Sequence, residues 1–228
     1  NEFNTKIINI KITEKPTGEI FAGVGTGTDG SNFSFGIKEN NYLGRGVKVD
    51  SNLSVSEERL KGKFIVSNPN YRNSDKNLDL SLEATSIDRL GTSGYKSNVT
   101  GFGVGTNFEY LDDLRFGLST RNKIEKISVD SSASSKQKKQ DGNYFDSFIG
   151  LDFYYDKRNQ KYQTTSGFFS NYSINMPVIS DTNTLTNTYN YKIFKELYEN
   201  NLSTLSFLLK GASSLTDDDI KLSERLYI

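Results

Sequence analysis

The chain has 228 residues, 28 basic against 28 acidic side chains, 34% hydrophobic and 12% aromatic residues, and neither histidine nor cysteine. The missing His and Cys exclude a Ser-His-Asp triad, a thiol nucleophile, a disulfide and any His- or Cys-ligated metal. The balanced charge argues against nucleic acid as a partner, which normally demands a basic excess.

Counting the 19 Gly in place of the 13 Tyr gives an apolar share of roughly 37%, below the ~45–50% of ordinary soluble domains. That is too little to fill a two-sided core, yet the chain is too aromatic and too regular to be disordered. A membrane β-barrel reconciles the two: each strand has one lipid face, one polar lumen face and aromatic girdles at its ends. No run of about 18 apolar residues could make a transmembrane helix. Asn1 to Ile12 carries no charged segment followed by an apolar stretch and a cleavage site, so no signal peptide is visible. For an exported protein, the expectation is that sequence precedes Asn1.

Alternation of apolar and polar residues with period two marks a half-buried strand, and it recurs along the chain. Ile8, Ile10 and Ile12 alternate with Asn9 and Lys11 before Lys15-Pro16-Thr17-Gly18 interrupts. Ile20, Ala22 and Val24 follow, then an Asp29-Gly30 hairpin signal, then Phe33, Phe35 and Ile37. Next come Val47/Val49/Leu53/Val55, Gly62/Phe64/Val66 and Leu78/Leu80/Leu82/Ala84, the last set opposed by Asp79, Ser81 and Glu83. A glycine-rich strand spans Tyr95–Phe108, followed by Leu114/Phe116/Leu118 and by Phe145/Ile149/Leu151/Phe153/Tyr155 against Asp146, Gly150 and Asp152. Phe168/Tyr172/Ile174/Met176, Tyr189/Tyr191/Ile193 and Leu205/Phe207/Leu209 complete the set.

This gives about eleven strands after Gly18, each approaching the ~9–11 residues of a tilted membrane strand, and no segment has a helical period. Single-chain bacterial barrels close with an even number of strands, so the fold class expected is all-β: an incomplete antiparallel up-and-down transmembrane barrel. Ser131 to Gln140 reads as a polar, mobile external loop. Phe21, Tyr42, Tyr71, Tyr110, Tyr144, Tyr155, Phe168 and Tyr198, near strand ends, read as interface girdles.

Several local signals have weaker chemical readings. Gly23 to Gly27 lacks the spacing and the following helix of a phosphate loop. Asp217 to Asp219 lacks the spaced ligands of a Ca²⁺ loop and reads as a solvated acidic patch. Asn32-Phe33-Ser34 matches a glycosylation sequon but sits within a strand. Lys136, Lys138 and Lys139 read as a soluble loop rather than a lipid contact.

Three stretches resemble one family, the BamA-type barrel assembly factors of the bacterial outer membrane, in which periplasmic POTRA domains precede a transmembrane barrel. The stretch Ile8 to Gly25, with Glu14, Pro16, Thr17 and Gly18 at its hinge, is similar to a last POTRA strand running into the first barrel strand. Phe35 to Gly46, containing Asn40, Asn41, Tyr42, Leu43, Gly44 and Gly46, resembles the family's first periplasmic turn, with Asn68-Pro69 following at the family's spacing. Tyr155 to Gly167 resembles its Asp-x-Arg-Asp…Pro-Thr-x-Gly turn at Asp156, Arg158 and Gly167, with Asn159 in place of the acidic residue and Thr164 in place of proline. Leu222 to Tyr227 looks like the lead-in to the sixth external loop.

The resemblance covers the chain in order and implies residues 1–16 as the end of a POTRA domain and 17–228 as the first part of the barrel. It implies no enzyme and no cofactor, but a machine that folds and inserts client barrels by strand pairing at a lateral gate. The gate strand would be Gly18, Glu19, Ile20, Phe21, Ala22, Gly23, Val24 and Gly25. The partners implied are unfolded outer-membrane barrel proteins, lipoproteins of the BAM complex and outer-membrane lipid, with no nucleic acid. Patterning alone leaves open whether those glycines weaken a gate or merely accommodate barrel curvature; the likeness favours the gate. A two-partner-secretion transporter is the alternative within the superfamily, a passive porin or adhesin-like barrel a further one, and an enzyme the least supported.

Overall fold

The computed structural model describes residues 11, 13, 15–27, 30–181, 183–198, 201–215 and 220–224. Ile8, Ile10 and Ile12, which suggested a preceding strand, lie outside them, as do Asp29 and Asp217 to Asp219. The described chain is one sheet of eleven antiparallel strands in sequential order. These are β1 (Gly18–Gly27), β2 (Gly30–Tyr42), β3 (Val47–Ser56), β4 (Arg59–Asn68), β5 (Leu78–Arg89) and β6 (Tyr95–Leu111), then β7 (Leu114–Val129), β8 (Gly142–Asp156), β9 (Ser166–Ile179), β10 (Thr184–Tyr198) and β11 (Asn201–Ser214). Every strand reaches the length a tilted membrane strand needs. The eleven-strand, sequential-neighbour expectation is met, and the sheet runs from β1 to β11 without the two pairing.

Register places the two sets of side chains on opposite faces. Ile20 lies opposite Ile37, Phe35 opposite Leu53, Phe64 opposite Leu82, Leu82 opposite Phe102 and Leu118 opposite Leu151. This apolar row bends outward and stays exposed, with Leu82 57% and Leu209 70% accessible. Its aromatic members form ladders, Phe108–Phe116–Phe153–Tyr172 and Tyr155–Phe168–Tyr191–Phe207, with ring centroids 5.4–6.5 Å apart.

The inner face carries Lys38, Asp50, Lys63, Glu83, Arg121, Lys123, Asp146 and Asp152. The strand charges that share the apolar face, Glu39, Asp88, Lys96, Lys126 and Lys195, all lie within four residues of a strand end. Sorting charges by face and depth in this way is what a hydrocarbon exterior imposes.

One rim, here the lower, holds the connections at 43–46, 69–77, 112–113 and 157–165; the upper rim holds those at 57–58, 90–94, 130–141 and 180–183. The upper loops contain two four-residue helices, α1 (Leu90–Ser93) and α2 (Ser135–Lys138), which the periodicity had not indicated. The loop expected to be mobile is built around a capping box. Ser134 Oγ accepts from the Gln137 N–H, Gln137 Oε1 accepts from the Ser134 N–H, and Gln137 Nε2 donates to the Ser93 carbonyl.

Two girdle assignments need correction. Phe21 alternates with Ile20 and Ala22, so its ring lies on the inner face, packed over Gly36 where no side chain would fit. Tyr144, opposite Glu125, also points inward and donates from its hydroxyl to the Gln140 carbonyl at 2.8 Å.

Most of the well-buried side chains gather inside the sheet near the upper rim: Tyr95, Ile127, Phe148 and Leu222, with Ser97, Glu125, Asp146 and Lys221, whereas Thr164 is buried in a lower-rim turn. Replacing Phe35 (outward, mid-strand) by Arg should destabilise the full-length protein in vesicles by about 2–4 kcal/mol. Arg in place of its inward neighbour Ser34 should cost under about 1 kcal/mol. Denaturant titration of the two variants would check the asymmetry; equal costs would contradict the assignment of faces.

Candidate functional site: the first strand and the lower-rim turns

β1 pairs with β2 along its whole length, from Gly18 opposite Glu39 to Gly27 opposite Gly30. Among the described residues, its other edge pairs with no strand. The predicted residues Gly18, Glu19, Ile20, Phe21, Ala22, Gly23, Val24 and Gly25 therefore lie together on an edge strand. Ile20 and Val24 project outward and are 74% and 86% exposed.

Gly23 and Gly25 face inward into open space, with nothing within 4 Å of where a Cβ would stand. Packing does not require glycine there, in contrast to Gly36 under the Phe21 ring. What glycine does confer is backbone freedom and weaker strand pairing.

The lower end of β1 is held by the first turn. The Asn40 backbone N–H and its Nδ2 both donate to the Thr17 carbonyl at 3.1 Å, extending the β1–β2 ladder by one residue. Asn41 organises the reversal: its N–H donates to Glu39 Oε1 at 2.7 Å, and its Oδ1 accepts from the Gly46 N–H at 2.6 Å. The Gly44 N–H donates to the Asn41 carbonyl at 2.9 Å, and Leu43, Gly44 and Gly46 take left-handed φ of 53°, 70° and 67°. Tyr42 and Leu43 are left exposed at the tip. Across the rim, Asn68 ends β4 and its Oδ1 accepts from the Asn70 N–H at 3.2 Å, with Pro69 between them.

The turn after β8 is built around Asp156 and Arg158. Arg158 Nε and Nη2 donate to the two Asp156 oxygens at 2.8 and 2.6 Å, and the guanidinium sits 5.5 and 5.9 Å from the Phe169 and Phe194 ring centroids. The hydrogen-bonded Asp156 carboxylate raises the Arg158 guanidinium above its ordinary value.

Asn159, which stands where the family has an acid, performs an acceptor's role: its Oδ1 accepts from the Thr165 and Ser166 N–H groups at 3.2 Å. Thr164, in place of proline, donates to the Gln160 carbonyl at 2.7 Å. Both departures thus leave the turn ordered. Gly167 has φ 99°, and a Cβ would collide with the Lys157 carbonyl.

The structure brings Thr17, Asn40, Asn41 and the β1 residues into one unit. Asp156, Arg158 and Gly167 form a separate unit on the same rim, and the Asn68-Pro69 turn lies between them. Sequence reasoning missed a third cluster: Lys123, Glu125, Asp146 and Lys221, on and against the inner wall near the upper rim. Only their inward parity was available as a signal. Gly167→Ala should destabilise the full-length protein by about 1–3 kcal/mol through backbone strain, whereas Gly23→Ala should change it by less than about 0.5 kcal/mol. Denaturant unfolding of the two variants checks this; equal effects would contradict the turn geometry.

The Omp85 superfamily domain matches residues 41–228. Among solved structures, the chain is similar to BamA from Haemophilus ducreyi lacking POTRA domains 1–3, with a TM-score of 0.75 and 18% identity over 92% of this chain. The chain spans 44% of that relative's length. The shared fold is that of a BamA barrel, with the sheet here open between β1 and β11. Matched by its family domain over most of its length, and carrying the fold in the strand order its own periodicity predicts, the chain belongs to the Omp85 superfamily.

Proposed function

We propose that residues 17–228 form the first part of the barrel of an outer-membrane protein-assembly factor, and that β1 receives the strands of client barrels. One observation carries the reading: β1 is a ten-residue strand paired on one edge only among the described residues. In hydrocarbon, each unpaired N–H or C=O costs several kcal/mol, so such an edge demands a partner strand. An incoming strand can supply one by main-chain β-augmentation, which accepts many sequences because the bonds are to backbone.

The open space beside Gly23 and Gly25 supports the same reading, because a strand that must exchange partners benefits from weak side-chain packing. β11, at the other end of the order, is likewise paired on one edge only among the described residues, but its inner face carries Thr204, Ser206, Leu208 and Lys210 rather than glycines.

On this reading the lower rim faces the periplasm, residues 1–16 end the preceding POTRA domain, and residues 17–228 run up to the start of the sixth external loop. Lipid covers the outward apolar face. The exposed Tyr42, Leu43, Tyr110, Leu111 and Tyr162 of the lower rim suit lipoprotein subunits of a BAM-type complex. The work is non-covalent exchange of strand partners, with no catalytic residue and no cofactor.

The Gly23→Val/Gly25→Val double variant of the full-length protein tests the gate. It should fold, since both side chains enter open space, but hold β1 to β2 about 1–2 kcal/mol more tightly. Insertion of client barrels into vesicles should slow roughly tenfold. A folded double variant with unchanged insertion would remove the gate reading, as would consistent failure of cysteines placed in Gly18–Gly25 to crosslink to a client's terminal strand during assembly.

A further inference from the structure

We propose that the cavity between the inner wall of β6–β9 and the turn at 157–165 binds a carboxylate carried on a flat apolar group. The cavity measures about 550 Å³, within the range of small-molecule sites, and lies at the lower rim. The strands contribute Asn107, Glu109, Arg115 and Tyr154 to its lining; the turn contributes Gln160 and Lys161.

Three charges around it are already committed. Arg158 holds Asp156 with two hydrogen bonds, and Lys157 holds Asp113. Arg115 is held differently. Its Nε and Nη2 both donate to Asn107 Oδ1, at 3.2 and 2.7 Å, and among the described residues it has no carboxylate partner. Asn107 is fixed in turn: its N–H donates to Asn77 Oδ1, and its carbonyl accepts from the Asn77 N–H at 3.0 Å. A neutral amide thus orients the guanidinium without cancelling its charge, and Nη1 keeps its donors for a ligand. Ordering a long side chain costs conformational entropy, and a charge that only meets solvent gains nothing from it.

Lys161 adds a second cation that forms no ion pair among the described residues. Against these two stands one open carboxylate. Glu109 lies opposite Arg115 in the β6–β7 ladder, yet it is exposed and forms no ion pair with it. The cavity therefore carries a surplus of positive charge, which selects an anion, and the planar fork of an arginine suits the two oxygens of a carboxylate. Tyr154 lies opposite Arg115 in the β7–β8 ladder, its ring 3.7 Å from where a Cβ on Gly117 would stand. That ring offers a flat apolar surface beside the cation, so the favoured ligand joins a carboxylate to an aromatic group. The site lies on strands distant from β1 and does not rest on the gate reading. Its ligand chemistry has two sources: a free aromatic acid, or an acidic residue beside an aromatic one in a polypeptide.

Ligand-detected NMR titration of the full-length protein in detergent micelles tests the site with matched pairs of probes. One pair is phenylacetate and phenylacetamide; the other is acetyl-Ala-Glu-Phe-Ala-amide and the same peptide with Gln in place of Glu. In at least one pair the charged member should bind about tenfold more tightly than its neutral partner, and Arg115→Gln should erase that preference. A preference in the first pair supports the site with a free acid as its source, and one in the second supports it with a polypeptide. No preference in either pair would overturn the proposal. So would a preference that survives Arg115→Gln in a protein whose heat-modifiable mobility is intact. If Arg115→Gln abolishes the fold, Lys161→Gln on the exposed turn takes its place: the preference should fall about threefold, and an undiminished one overturns the proposal equally.

Discussion

A bilayer has no water to offer the backbone, and that constraint organises everything else in this molecule. Strands in hydrocarbon must pair along both edges, so consecutive strands zip in sequence order and each strand from β2 to β10 has a neighbour on both sides. The same constraint makes an edge the most consequential place in the sheet. β1 is such an edge, and it begins at Thr17, which Asn40 holds through two bonds to one carbonyl. The strand is fixed at its foot while its inner face, at Gly23 and Gly25, is left without packing. Firm anchoring at one end with loose packing beyond it is what the proposed gate at β1 would require.

The second consequence concerns charge. Lipid outside and water inside leave charged side chains only one comfortable face, and Arg121, Lys123, Glu125 and Asp146 all take it. On that face the charges are close enough to organise one another. Arg121 pairs with Glu83 across the intervening β6, where Gly101 and Gly103 keep the path clear. Lys123 and Asp146 engage Glu224 and Lys221. The lumen is therefore a patterned surface, able to hold a segment of the same chain in a defined place.

Much of the architecture was legible in the sequence because period-two alternation survives without any tertiary information. Phe145, Ile149 and Phe153 against Asp146, Gly150 and Asp152 already separate the two faces of β8. Phe21 and Tyr144 were misplaced for an instructive reason. Proximity to a strand end suggested a membrane interface, but parity with Ile20 and Phe145 sends both rings to the lumen, and parity governs. The turn at Asn159 and Thr164 was legible in outline, yet the way amide and hydroxyl hydrogen bonds replace an acid and a proline emerges only from its folded geometry. The Lys221–Asp146 bond, between residues 75 apart in the chain, had no local signature at all. Nor did the helical turn α2, whose four residues are too few for a period to register.

The claim on which all of this stands is that each strand shows one face to lipid and the other to water. A cysteine scan along β7, from Phe116 to Glu125 in the full-length protein, tests it directly because no native cysteine interferes in this chain. Substitutions at Gly117, Ser119 and Arg121 should react with a water-soluble maleimide and spare a lipid-soluble one. Those at Phe116, Leu118, Thr120 and Ile124 should do the reverse, reversing at every step. Uniform reactivity along the strand, or one face reacting with both reagents, would contradict the account.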